Sequence, residues 1–206
     1  MALAEQRQSL SFEEYLQVEE QTGLKHEYCQ GQIWAMVGAT DRHVTISLNL
    51  AASLKQKLQG SPCQTYISDM KLHIAAADAW FYPDVMVCCE PADRDNHLAK
   101  EHPVFIAEVL SPSTEAFDRG RKFSHYRRIA SLQHYWLIDP ERHLVDAYRR
   151  GNEGEWLLHG YSSKDISAPI EALACEIEMA LLFEGVERVD DNDDHSDQET
   201  PRPTTN

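Results

Sequence analysis

The sequence predicts an α/β domain, a mixed central β-sheet flanked by helices, with an amino-terminal helix and hairpin leading into it. Three observations point there. Segments with helical apolar spacing alternate with short strand-like runs from Ser11 onward. The run "PVFIAEVL" at 103–110 is apolar almost without a break, the pattern of a central strand covered on both faces. With 206 residues, 42% hydrophobic and 26% charged, the chain has a globular composition and can bury one substantial core.

The elements follow in order. "SFEEYLQVEEQ" opens with Ser11 and Glu14 in capping-box spacing, and Phe12, Tyr15, Leu16 and Val18 recur at roughly helical intervals, giving the first helix. "HEYCQGQIWAMVG" (26–38) sets Gly31 between two strand-like stretches and reads as a hairpin. Asp41 is positioned to cap a helix from Arg42 to about Leu58, with Val44, Leu48, Ala51, Ala52 and Leu54 as its buried stripe and Gly60 as its stop. Strands are expected at about 63–74, 80–88 and 103–110. After "SPSTE" comes a helix from about Phe117 to Ala130, then two strands, "HYWLID" and "HLVDAYR", joined through Pro140. A weaker strand covers 155–161, and "IEALACEIEMALLFEGV" closes the fold with a strand and a short helix. One domain is expected over 1–186. Residues 187–206 hold seven acids against two arginines and few apolar residues, the composition of a disordered acidic tail.

Composition narrows the function classes. No run approaches the roughly 18 apolar residues of a membrane span, and "MALAEQRQSLSFEEY" lacks the basic start and apolar centre of a signal peptide, so a cytoplasmic protein with no membrane partner is expected. The cysteines Cys29, Cys63, Cys88, Cys89 and Cys175 show neither CxxC nor zinc spacing and read as buried thiols. A net charge of −15 argues against indiscriminate nucleic-acid binding. Against that background "DRGRKFSHYRR" (118–128) gathers Arg119, Arg121, Lys122, Arg127 and Arg128 into a local patch suited to phosphate.

The chemistry centres on "FYPDVMVCCE" (81–90), where Asp84 follows Pro83 inside a run that reads as core. A charge there costs on the order of several kcal/mol unless it is paired or bound to a cation. Glu108 lies in the equally apolar "FIAEVLS", and the intervening "EPADRDNHLAKEH" is polar enough to join two neighbouring strands. Pairing of those strands would bring the carboxylates together, where like charges raise one pKa unless a divalent cation neutralises both. Oxygen donors of this kind suit Mg²⁺. Taken singly, each acid has a plain structural role: Asp84 as a turn residue after Pro83, Glu108 as the partner of Arg119 or Lys122.

Together, "YPDVMV", "EVLSPST", "DRGRKFSHYRR" and "HYWLIDP", in this order and spacing, resemble the Uma-two family of restriction-endonuclease-like proteins within the PD-(D/E)XK nuclease superfamily, from about Ser11 to about Gly185. The resemblance implies a restriction-endonuclease-like sheet that presents two acids and a lysine to a metal-activated water. Asp84, Glu108 and the Val109 carbonyl would be the Mg²⁺ ligands, with Mn²⁺ as the substitute ion. The superfamily lysine is expected two residues after Glu108, where Leu110 stands; Lys122 on the following helix takes its place, with Asp118, Lys122 and Tyr126 spaced i, i+4, i+8 along one face. Glu27 matches the family's acid after the first helix and would accept a second metal ion or the water it carries. Asp69 is a weaker candidate for the same site, equally a turn residue or partner of Lys71. His43 matches a family histidine and would contact phosphate, unless it caps or packs. Ser111 would hydrogen-bond within its loop, and Tyr126 would position the site.

The expected function is metal-dependent endonucleolytic hydrolysis of DNA, with Arg119, Arg121 and Arg127 on the phosphodiester backbone and, by the resemblance, a homodimer placing two sites across one duplex. Two alternatives stand beside it: a catalytically silent module that binds nucleic acid or a protein, and a small-molecule phosphodiesterase.

Overall fold

The computed structural model describes residues 9–36, 38–112 and 114–189. Helix α1 (Phe12–Thr22) starts on the expected capping box, with the Ser11 amide donating to Glu14 and the Glu14 amide to Ser11 Oγ, and ends at Gly23, whose φ of 66° lets its N–H return to the Glu19 carbonyl. The hairpin follows as β1 (His26–Cys29) and β2 (Gln32–Ala35), turned by Gln30 and Gly31 at positive φ.

Helix α2 (Asp41–Lys57) is capped by Thr40 rather than Asp41, because the Thr40 hydroxyl accepts the His43 amide. Its buried face also differs from expectation. Ile46, Leu50 and Leu54 are fully buried, while Val44 and Leu48 are 55% and 64% exposed. The sequence carries two apolar stripes on opposite sides of this helix, and the sheet covers only one.

Strands β3 (Gln64–Ile67), β4 (Lys71–Ile74), β5 (Ala79–Phe81) and β6 (Val85–Cys88) replace the two long strands expected over this stretch. The break between β5 and β6 falls at Tyr82-Pro83-Asp84, where proline supplies no N–H for a ladder and restricts the residue before it. The expected single sheet becomes two larger ones. With β7 (Ala99–Lys100), β8 (Pro103–Val109), β9 (His134–Asp139), β10 (Leu144–Arg150) and β11 (Trp156–Ser162), the orders are β2-β1-β5-β4-β7 and β11-β10-β9-β8-β6-β3. Parallel pairing occurs between β8 and β9 and between β4 and β7, so both sheets are mixed. Helix α3 (Pro91–Asp95) lies in the polar loop between β6 and β8. A short hairpin, β12 (Ser167–Ile170) and β13 (Cys175–Glu178), and helix α6 (Met179–Leu182) complete the described chain, with α4 (Glu115–Phe117) and α5 (Phe123–Tyr126) described below.

The six-stranded sheet is covered on both faces, which explains the unbroken apolar run of β8. Phe105, Ala107 and Val109 pack with Ile46, Leu50 and Leu54 of α2 and with the β12–β13 hairpin. Ile106 and Leu110 face the other way, toward Phe81 and Leu72 of the second sheet and Tyr126 of α5. Glu108 shares this second face, since side chains alternate along a strand.

The thiol expectation is corrected at two positions: Cys63 and Cys89 form a disulfide, while Cys29, Cys88 and Cys175 are free. The antiparallel register Gln64↔Cys88 sets the two flanking cysteines opposite one another, with 3.9 Å between their Cα atoms. A separation of 26 residues carries no local signal of this pairing. No helix among the described residues is long and apolar enough to cross a membrane. The tail expected at 187–206 lies outside the described residues from 190 onward; Val189 still donates its amide to the Glu141 carbonyl.

Candidate active site

The antiparallel pairing of β6 with β8 sets Val85 opposite Ala107, so the next positions along, Asp84 and Glu108, meet at the strand ends. Asp84 is therefore at the junction between the two sheets, not inside a strand. Its Oδ2 accepts the Val109 amide at 2.8 Å, and its own amide points to Glu108 Oε2 at 3.4 Å. From α2, His43 Nε2 lies 3.0 Å from Asp84 Oδ1. Burial would lower the imidazole pKa, but the bond and charge of Asp84 outweigh it, and His43 is held above its ordinary value.

Glu108 is 2% exposed. Its Oε1 accepts the Tyr126 hydroxyl at 2.6 Å and lies 3.2 Å from Lys122 Nζ. Lys122 also faces Glu27 of β1 at 2.8 Å and Asp118 at 3.2 Å, so one buried ammonium serves three carboxylates. The helical segment that carries it is not a regular α-helix over 117–130. Between α4 and α5 it widens into a π-helical turn, Asp118–Lys122, and it ends by Arg127. Such turns redirect side chains and recur at functional sites.

The charge states follow from competition between burial and partners. Burial pushes the carboxyls of Glu108, Glu27 and Asp118 above their usual range; Lys122 opposes this, and the neighbouring acids reinforce it. Burial alone would neutralise Lys122, yet the three carboxylates hold its pKa well above normal, so it stays charged. Four carboxylates thus face one ammonium and one imidazole. Glu27 Oε1 and Asp118 Oδ1, although close to Nζ, are buried without a well-directed hydrogen bond.

This donor set fits a hard divalent cation. The positive charge is deficient, the available ligands are oxygens, and Mg²⁺ is commonly held by one or two carboxylates, with waters and substrate phosphate completing its shell. A full protein cage is absent: among the described residues no group of three or more His, Cys, Asp and Glu side chains is arranged to hold a metal ion. Glu27 sits on the lysine.

The remaining expected residues divide. Asp69 is in the β3–β4 turn, exposed and paired with Lys25, away from the cluster, while Lys71 pairs with Glu19 at 2.5 Å. Arg119 is engaged by Glu115 at 2.7 Å and Asp146 at 2.5 Å. Arg121 and Arg127 are exposed, resting over Trp34 and Phe123 respectively. Ser111 Oγ bonds Thr114 Oγ1 at 2.9 Å within its loop. Leu110, where the superfamily's lysine is expected, is buried. Sequence reasoning missed the rings of Phe81 and Phe117, about 6.0 and 5.9 Å from Lys122 Nζ, which help wall the ammonium from water. Neither the apolar run around Phe81 nor the charged stretch around Phe117 gives a sign that its aromatic ring faces the Lys122 ammonium.

Comparisons with known proteins agree with this architecture. The sequence profile of Uma2, described as "Putative restriction endonuclease", matches residues 12–182. The uncharacterized protein slr1290 of Synechocystis sp. is 37% identical over 177 residues, 86% of this chain and 93% of that protein. A second uncharacterized Synechocystis protein, sll1609, is 42% identical over 151 residues, 72% of this chain and 85% of that one. A crystal structure described as a putative nuclease belonging to DUF820, from Anabaena variabilis, superposes with a TM-score of 0.69 at 18% identity, over 84% of this chain and 97% of that one, and shares the fold.

Proposed function

Because this chain belongs to the Uma2 family, described as "Putative restriction endonuclease", we propose that it is a metal-dependent endonuclease hydrolysing DNA phosphodiester bonds. The observation that carries this reading is the meeting of Asp84, Glu108 and Lys122 at the ends of paired strands, with Glu108 3.2 Å from the ammonium. Asp84, Glu108 and the Val109 carbonyl would hold Mg²⁺ or Mn²⁺, which supplies a Lewis acid for the phosphoryl oxygen and lowers the pKa of the attacking water. Lys122 orients that water and offsets charge developing at phosphorus, a role that requires its proton. Glu27 and Asp118 keep it protonated and in place. Tyr126 fixes the Glu108 oxygen that the lysine also touches. His43, held on Asp84, is assigned to the substrate phosphate, and Arg121 and Arg127 to the flanking backbone. Arg119 would first have to leave Asp146 and Glu115. A cytoplasmic homodimer with two sites across one duplex completes the reading.

A second reading, a binding module without turnover, draws on the net charge of −15 and the depth of Glu108. One experiment separates them. Plasmid and linear DNA are incubated with the protein over Mg²⁺ and Mn²⁺, beside Asp84→Asn. Metal-dependent nicking that leaves 5′-phosphates and disappears in the variant supports the endonuclease. DNA retained without turnover at any metal concentration supports the binding module instead. Light scattering with and without duplex tests the dimer.

A further inference from the structure

A cavity of about 240 Å³ opens beside the ion cluster, lined by Cys29, Gln30, Gln32, Trp34, Arg121 and His125. The face of β1 that carries Glu27 to Lys122 continues two residues on into Cys29, and Trp34 and Gln32 are their cross-strand partners on β2. On the helical side Arg121 directly precedes Lys122, and the Phe117 ring lies 5.9 Å from the ammonium and 5.8 Å from the guanidinium. The cavity is thus one rung along the hairpin from the proposed reaction centre.

Its chemistry is unlike the rest of this acidic chain. The lining holds no carboxylate. Arg121 lies 5.4 Å over the Trp34 ring and 5.8 Å over the Phe117 ring, and makes no ion pair among the described residues, so its fork of donors is available. His125 is 8% exposed; its Nε2 lies 3.4 Å from Cys29 Sγ, and its Nδ1 is buried without a partner. Burial, with Arg128 and Arg121 nearby, holds that imidazole below its ordinary pKa, which favours the neutral ring.

We propose that this cavity takes one unstacked nucleotide of a nucleic-acid strand, with its phosphate on Arg121, its base against Trp34, and the base edge read by Gln30, Gln32 and His125. A guanidinium matches phosphate geometry, an indole face stacks any base, and carboxamides supply the paired donor and acceptor that base edges require. The volume suits one nucleotide, not a base pair. The substrate would then be single-stranded or locally unpaired beside the scissile bond, a conclusion that rests on the endonuclease reading, whereas binding itself does not.

The test is calorimetric titration of the full chain in EDTA, so that no metal ion contributes. Probes are the four deoxynucleoside 5′-monophosphates, their parent deoxynucleosides, inorganic phosphate and a short single-stranded oligonucleotide. The monophosphates and the oligonucleotide should bind the wild type. Arg121→Gln, an exposed substitution, should weaken both by about tenfold or more, and Trp34→Leu should weaken nucleosides as well. Gln32→Ala should change the order of preference among bases. Failure of the wild type to bind, equal binding by Arg121→Gln, or inorganic phosphate binding as tightly as the monophosphates would overturn the proposal. A wild type that binds nucleotides at this cavity yet cleaves nothing leaves the proposal standing and removes the endonuclease reading alone.

Discussion

Replacing Lys122 with methionine keeps an unbranched side chain of similar reach between Phe81 and Phe117 and removes the charge together with the N–H that donates to Glu108. Three carboxylates lose their common cation at contacts of 2.8, 3.2 and 3.2 Å. At an effective dielectric of about 20, each contact is worth roughly 5 kcal/mol of Coulomb energy, which desolvation of the ions largely offsets. The net cost of removing one partner from a buried pair is about 3–5 kcal/mol. For a domain of this size that lowers Tm by roughly 6–20 °C. Thermal unfolding followed by circular dichroism at pH 8 in EDTA measures it. The loss should be partly relieved, by about 1–3 kcal/mol, when Glu27→Gln is added, because that second change removes a charge that no longer has a partner. A Lys122→Met protein melting within about 2 °C of wild type, or a double variant less stable than the single, would refute the buried-network account. In cleavage assays Lys122→Met should reduce turnover far more than DNA binding, since the ammonium acts in the transition state.

Asp84→Asn and Glu108→Gln should each abolish metal-dependent cleavage, and because four carboxylates face one ammonium and one imidazole, each should cost the metal-free protein less stability than Lys122→Met does; unchanged Mg²⁺ binding in both variants by calorimetry would contradict their assignment as ligands. Reducing the Cys63–Cys89 disulfide, or Cys63→Ser, opens a loop closed over 26 residues and should cost about 3 kcal/mol, seen as a lower denaturation midpoint in urea. His134 is buried and accepts the Ala172 amide on Nε2, and burial holds its pKa below the ordinary 6.5. Its contribution to stability is therefore complete above about pH 6.5 and lost as pH falls through the lower folded value. His134→Gln should flatten the Tm profile in that acidic window, and an unchanged slope would count against the assignment.

Much of the fold is written in short-range signals. Ser11 and Glu14 start α1, Gln30 and Gly31 turn the hairpin, and the unbroken "PVFIAEVL" marks β8 as covered on both faces, each through contacts within a few residues. The nearness of Asp84 and Glu108 was legible too, because acids in apolar runs demand partners and a polar loop between two strands implies that they pair; Lys122 joined them through the family resemblance, since the residues alone left Arg119 equally open as the partner of Glu108. What lay beyond the sequence depends on contacts between distant residues. Whether α2 buries Ile46 or Val44 is decided by the side on which the sheet lies, since both stripes are apolar. Pro83 is visible, but the transfer of the chain from one sheet to another across it is not. The pairing of Cys63 with Cys89 needs the register of β3 on β6. Glu27 reaches the lysine because β1 and the π-helical turn converge, and Arg121 comes to rest over Trp34 for the same reason. Capping, turn and strand signals act through bonds and bonds' neighbours; faces, registers and charge partners are chosen by the packing of whole elements, which no local stretch of sequence contains.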